Sequence, residues 1–476
     1  MTVAWRHGLM VVCVALIVGG CATLTKPLVD NDPIALRLSE AEVPEPQLLN
    51  VLIEVFDPGA LPESEEEARG LTKSIREAEA RYIPAHLKDT MQRTGFWGPV
   101  RVVPAGTAGG EVRVTGRILK SDGEVLKLAI KADDATGALW FSETYEAVVD
   151  ATAYDQLTGR DVDVFQNLYN RIANDLDRYR AEMLPARAKT IRDVAEIRFA
   201  KEFAPEAFAR YLEKKQPEPG LLGKFSGLVT PASAAEYGSA EDQQQPYDVE
   251  KVTDEEATLH YAIVRLPAAD DPMLARIRRI RIRDDMLIDT FDMQYERLYR
   301  DMNKVYAQWR ESRLAETDMI RDSQARANEE RTKGILKIVG TVALEVACVA
   351  ITGRSCLTVG TATLATIAVS SGVRQIGEAS NIEAEAELNR TALVELGQSF
   401  DADVKPIVLE VEGQNVELTG SAQAKFRQWR KVLRTLHERS DSQYSPCLAK
   451  AGSAAQNAKA KTPTAMERNP CTENRS

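Results

Sequence analysis

Residues 112–148 read VRVTGRILKSDGEVLKLAIKADDATGALWFSETYEAV. Apolar and polar side chains alternate through Val112 and Val114, and again through Leu126, Leu128 and Ile130. This is the period-two pattern of strands with one buried face. Two turn clusters, Ser121-Asp122-Gly123 and the Asp-Asp-Ala-Thr-Gly run at 133–137, cut the stretch into segments 112–120, 125–132 and 139–148, which read as a meander. Just upstream, 48–56 (LLNVLIEVF) is apolar and ends at Asp57-Pro58-Gly59, so it reads as a buried strand. The span 63–93 has helical period, with acids in its first turn and Gly95 beyond its end, and Pro84 is expected to break it or to begin a second helix after Ile83. Another short strand follows at 100–103. Strand, helix, strand and meander together predict an α+β class, with a small sandwich-like α/β domain over 48–150.

The rest of the chain reads as helical. Segments 154–183 and 189–212 are amphipathic, and Phe165, Leu168, Ile172 and Leu176 make a core stripe at steps of three and four, so 151–213 is taken as a helical segment. Residues 214–247 carry Pro217, Pro219, Gly220, Pro231 and Pro246 and read as a linker. A second, mainly helical domain is expected over 248–440. It opens with a possible strand at 258–266, and Asp270-Asp271-Pro272 starts a helix. In that helix Ile288, Phe291, Tyr295, Leu298, Met302, Val305 and Trp309 repeat as a coiled-coil seam. Beyond it lies an apolar helical hairpin with arms 335–351 and 357–373, then a returning helix at 382–400. A β-hairpin at 407–411 and 416–419 follows, and Ser421 caps a last helix to about His437. Residues 441–476 read as a polar tail.

The first twenty residues place Arg6 before an apolar run at 8–18 and then Gly19-Gly20, a secretory signal too short to span a bilayer. Val18-Gly19-Gly20-Cys21 resembles the lipobox of bacterial lipoproteins. The resemblance implies cleavage between Gly20 and Cys21, acyl chains on Cys21 as a membrane anchor, and, since Ala22 and Thr23 follow the cysteine, delivery to the outer membrane facing the periplasm. Residues 21–47, with Pro27, Pro33, Pro44 and Pro46, then read as a tether. Four further cysteines remain downstream, and in an oxidising compartment an even number favours disulfides, by proximity Cys348 with Cys356 and Cys447 with Cys471.

Composition excludes several classes of function. Sixty basic against 71 acidic residues leave a net charge of −11, against a nucleic-acid binder. His86, His260 and His437 are isolated, and there is no nucleophile elbow, zinc motif or phosphate loop, so no catalytic residue, metal or cofactor is expected and the chain is read as not an enzyme. The run Arg276, Arg278, Arg279, Arg281 and Arg283 suits anionic headgroups or glycans, but seven arginines across 270–301 face eight acids, so intrahelical pairing suffices. The apolar hairpin has two readings. It is the core of a helical bundle, or a membrane-inserting or oligomerising element in which Gly360, Ala365, Ala368 and Gly372 permit close helix approach.

The first domain also resembles, through 51–56, 112–120 and 134–140, a loose group of envelope domains. These are the curli-secretion lipoprotein, the lipoprotein activators of penicillin-binding proteins, and the amino-terminal domain of the Tol-system propeller protein. The resemblance covers about a fifth of the chain and transfers no site residue. The expectation is a lipid-anchored envelope protein that binds or scaffolds, with itself or envelope proteins as partners through the hairpin and peptidoglycan as a further candidate. A ring-forming export component and a peptidoglycan-acting enzyme are the alternatives.

Overall fold

The protein is described by a computed structural model covering residues 33–64, 68, 70–157, 162–215, 260–352, 384, 386–398, 407–411 and 414–438, with side chains along the longest helix as far as 326. Five strands, β1 (Val51–Glu54), β2 (Val100–Val103), β3 (Val112–Ser121), β4 (Val125–Asp134) and β5 (Leu139–Val148), form one sheet in the order β2-β1-β3-β4-β5. β1 is parallel to β2 and β3, and β3 to β5 run antiparallel as the meander read from the sequence. Val112, Val114, Leu126, Leu128 and Ile130 are buried, as alternation requires, and β1 is buried along its whole length. Helix α1 (Lys73–Gln92) crosses from β1 to β2, and α3 (Gln166–Ala181) also packs on this side of the sheet, beside α1 and β5; α2 is Ala151–Leu157.

Pro84 does not break α1, which is continuous through it and starts at Lys73, where Thr72 caps Ile75 N–H at 3.2 Å. A proline in a helix frees the carbonyl four residues earlier. Here that carbonyl, Ala80 O, accepts Phe56 N–H at 2.9 Å, so the end of the first strand takes the place of the missing helical donor. The carbonyl is satisfied and the helix is docked by the same bond.

Two further helices, α4 (Pro185–Phe203) and α5 (Pro205–Phe208), lead to a small hairpin of β6 (Leu212–Lys215) and β7 (His260–Ile263), which pair across the stretch expected as a linker. Helix α6 (Pro272–Thr352) follows, with Asp271 Oδ1 accepting the N–H groups of Met273 and Leu274 at 2.8 and 3.1 Å. Its 81 residues make a rod about 120 Å long. A helix at 386–398 (α7), a hairpin of β8 (Ile407–Val411) and β9 (Gln414–Leu418), and a helix at 422–438 (α8) complete the described chain.

The seam of α6 faces the α/β body. Ile288, Phe291, Tyr295, Leu298, Met302 and Trp309 belong to the same buried cluster as the sheet, α1 and α3. Polar groups fix the register: Lys88 Nζ meets Asp292 at 2.5 Å, Tyr82 OH donates to Asn303 Oδ1 at 2.7 Å, and His86 Nδ1 lies 2.9 Å from Tyr299 OH. Asp292 also accepts Val102 N–H at 2.7 Å, so α6 occupies the outer edge of β2. Elements on both sides of 214–247 therefore share one core, where the sequence suggested separate domains. Arg430 on α8 ties the same body together, bonding Asp284 of α6 at 2.8 Å and Glu202 of α4 at 2.6 Å.

The second half of the expected tether is part of the fold. Asn167, Asn170 and Asn174 stand at steps of three and four, hence on one face of α3. Their amides bond the backbone of 34–37: Asn167 and Asn174 accept Ile34 and Arg37 N–H at 3.0 and 2.7 Å, and Asn170 and Asn174 donate to Ile34 and Ala35 carbonyls at 2.7 and 2.9 Å. An extended segment with no strand partner is thus satisfied by side-chain amides.

Candidate functional site

Of the residues singled out from the sequence, Gly20, Cys21, Cys356, Gly360, Ala365, Ala368, Gly372, Cys447 and Cys471 lie outside the described residues. Cys348 falls on the backbone of α6 beyond its described side chains. Among the described residues no helix is long and apolar enough to cross a membrane, and no group of three His, Cys, Asp or Glu side chains is placed to hold a metal ion.

The arginine run divides. Arg276 donates to the His437 carbonyl at the end of α8, Arg278 pairs with Glu196 on α4 at 2.5 Å, and Arg281 lies over the Phe199 ring. Those three join α6 to its neighbours in the fold, whereas the sequence suggested pairing within the helix. Arg279 and Arg283 have no carboxylate within bonding distance among the described residues.

A recess of about 220 Å³ opens between the loop after β2, the β4–β5 turn and α4. The loop must carry the chain from the end of β2, over β1, to the start of β3 in eight residues. Gly110 makes that passage possible: its φ is +84°, and a Cβ there would stand 2.8 Å from the Leu52 side chain. The recess is lined by Glu111, Arg113, Asp133, Arg198, Phe199 and Glu202. Each charge is engaged within the protein. Glu111 accepts Asn50 N–H at 2.8 Å, Arg113 meets Asp133 at 3.0 Å, Arg198 donates to Ala135 O at 2.6 Å and covers Tyr261, and Glu202 holds Arg430 and Arg434. Burial pushes Glu111 above the usual carboxylate value, and so does burial of Glu54, whose carboxylate accepts Gly106 N–H. The lining holds one hydroxyl, Thr107, already donating to Pro104 O at 2.6 Å, and no imidazole or thiol. Its chemistry is that of a polar recess able to admit a small charged group, without a nucleophile beside a base.

At the rim of this recess sits the 134–140 motif that carried the family resemblance. Asp134 is buried and accepts Thr136 N–H at 2.8 Å, the Thr136 hydroxyl, Trp140 Nε1 at 3.1 Å and Arg187 at 2.8 Å. The motif is a latch that closes the β4–β5 turn and receives the first turn of α4.

The deepest polar groups lie between α1, α3 and α6. Arg310 and Asp163, both with side chains 2% exposed, form a two-pronged pair at 2.6 and 3.1 Å, and Arg310 also lies over Tyr306 and Phe165. Burial pushes the Asp163 carboxyl up, but the Arg310 guanidinium, with the hydrogen bonds from Arg310 and Phe165 N–H, outweighs it and holds it below its usual value. Tyr306 OH and Ser121 Oγ both donate to Glu79 at 2.8 and 2.5 Å, and Arg76 pairs with Glu79 at 3.0 Å. His86 bridges Tyr299 and Gln166 at 2.9 Å each, with burial lowering its pKa, so it is a neutral core histidine.

One buried carboxylate gives a pH prediction. Asp177 is fully buried, accepts Trp97 Nε1 at 2.7 Å and Thr94 Oγ1 at 3.3 Å, and leaves Oδ2 without a partner. Burial pushes its pKa up to about 7. A carboxyl whose pKa rises on folding holds its proton more tightly in the native state, so the contribution of Asp177 to stability is fully present below the unfolded value of about 3.9 and is lost as pH climbs toward 7. Asp177→Asn is expected to flatten that decline, measured as the urea midpoint at about pH 5 and about pH 7.5 relative to wild type. An equal decline in both proteins would contradict the assignment.

No family model, no curated protein and no solved structure matches this chain. Sequence reasoning missed the recess because its lining comes from three separated segments, around 106–113, 133–135 and 195–202. Its one local signal was the glycine cluster at 106–110 directly after a strand.

Proposed function

We propose that this chain is a lipid-anchored, periplasm-facing protein of the outer membrane that works by binding or scaffolding within an envelope assembly. The observation that carries the scaffolding reading is the path of α6. Arg321 still bonds Glu124 in the β3–β4 turn, yet the helix continues to Thr352, about 45 Å beyond it. The chain is back against the body at Asn389, whose amide donates to Ser312 Oγ at 2.9 Å. The helix leaves the body beyond Arg321 and the chain is held against it again at Asn389, and the sequence between them, apolar over 335–351 and uncharged over 357–373, suits association with a second copy or an envelope partner. The anchor in this reading rests on 18–21, and the body's first held residues, 34–37, stand close behind it in sequence.

The test is the mass of the detergent-solubilised mature protein by light scattering, corrected for bound detergent, together with crosslinking in intact cells. A defined oligomer, or a crosslink from 327–383 to an envelope protein, is the expected result. A monomer that captures neither protein nor peptidoglycan would overturn the reading. A large closed ring would favour an export component instead.

A further inference from the structure

On the side of α6 turned away from the core, three large apolar residues are open to solvent: Ile282, Met286 and Met293, with 61%, 63% and 61% of their surface exposed. Their spacing of four and seven puts them on one line of the helix. Thr290, between Met286 and Met293, bonds back to its own helix, and nothing in the described fold covers the line. Arg279 and Arg283 lie along one side of its first half and make no ion pair among the described residues, while on the other side the acids are already paired, Asp289 with Arg101 and Glu296 with Lys88 and Arg300. Lys304, further along the same face, also has no carboxylate partner among the described residues.

We propose that this ridge is a membrane-contact surface that lies on anionic lipid headgroups, with Ile282, Met286 and Met293 entering the interface and Arg279 and Arg283 pairing with lipid phosphates. Charge complementarity selects lipid over a second copy of this face, which would set the same free arginines against each other. Chain length permits it. Thirteen peptide units separate Cys21 from Ile34, a reach of about 45 Å. Ile34 is bonded to Asn170, which touches Gln166, which touches His86 and so Tyr299 of α6, six residues from Met293. The ridge therefore lies within the tether's reach of the bilayer.

Three apolar residues and two arginines make a weak site for a free protein. Each basic residue at an anionic surface is worth about fivefold in partition. On a chain already held at the surface, binding becomes intramolecular, and a weak patch is then occupied. The consequence is orientation: α6 would lie along the bilayer over 279–293 and carry its far end away from the body in a fixed direction. The proposal rests on the anchored reading above.

The test uses the mature, lipidated full-length protein in vesicles of phosphatidylcholine, with and without phosphatidylglycerol, and follows oxidation of Met286 and Met293 by dilute peroxide with peptide mass spectrometry. Fully buried Met302 reports on the integrity of the fold. Oxidation is expected to slow by on the order of tenfold on anionic vesicles, to recover with salt, and to recover in the Arg279→Gln, Arg283→Gln double variant. Equal rates on both vesicles, with the protein anchored to each, would overturn the membrane contact and leave the anchor standing. Protection that grows with protein concentration without vesicles would overturn it in favour of self-association. A mature protein with no lipid on Cys21 and no vesicle binding would overturn both readings together.

Discussion

Arg310→Met is expected to lower the unfolding free energy by about 3–5 kcal/mol, because it leaves the Asp163 carboxylate buried without its counter-charge. Attraction between the two charges is not the source of the loss, since their desolvation offsets most of it. The double replacement Arg310→Met, Asp163→Leu should therefore recover most of the stability, and a thermodynamic cycle in urea distinguishes the cases. The pair also joins α6 to the segment before α3, and Gly123 sets how closely the β3–β4 turn approaches, since a Cβ there would stand 2.3 Å from Arg310 O. Loss of the pair should thus loosen α6 along its whole seat. Hydrogen exchange in 295–314 faster than in the sheet would report it. An Arg310→Met protein as stable as wild type would contradict the single-core account.

Asp134→Ala is expected to cost about 3 kcal/mol. It strands the Trp140 indole N–H and the Thr136 hydroxyl and N–H in a buried site, and it releases Arg187 from the start of α4. Asp134→Asn keeps an acceptor and should lose about half as much. Near-ultraviolet circular dichroism, which reports the stacked Trp97 and Trp140 at 6.1 Å, should change in the alanine variant and hold in the asparagine one. Equal losses in both variants would show that the carboxylate charge facing Arg187, not the acceptor oxygen, matters at this turn.

The meander was legible because each signal was local. Alternation fixes the buried face, and two short turn clusters fix the connections, so β5 begins and ends where the sequence placed it. The start of α6 was legible for the same reason, since Asp271 and Pro272 carry the whole cap. Pro84 was misread because its compensation is distant: the carbonyl it frees is taken by Phe56, 28 residues away in sequence. The stretch 33–47 was read as tether because its partners are three asparagines more than 130 residues later. The seam of α6 was found but given the wrong partner. A helix with apolar residues at coiled-coil spacing looks alike whether it buries them against another helix of its kind or against a sheet-bearing core, and only Lys88, Tyr82 and His86 reveal which. The recess was illegible for the same reason, and the arginine run yielded its composition but not its division into three structural residues and two free ones.

The measurement that bears most directly on the proposed function is the intact mass of the protein extracted from membranes. The account predicts a chain that begins at Cys21 and carries diacylglyceryl and acyl mass on that residue, and a Cys21→Ser protein that leaves the membrane fraction. A chain that begins elsewhere without lipid, or a Cys21→Ser protein that stays in the membrane fraction, would contradict it.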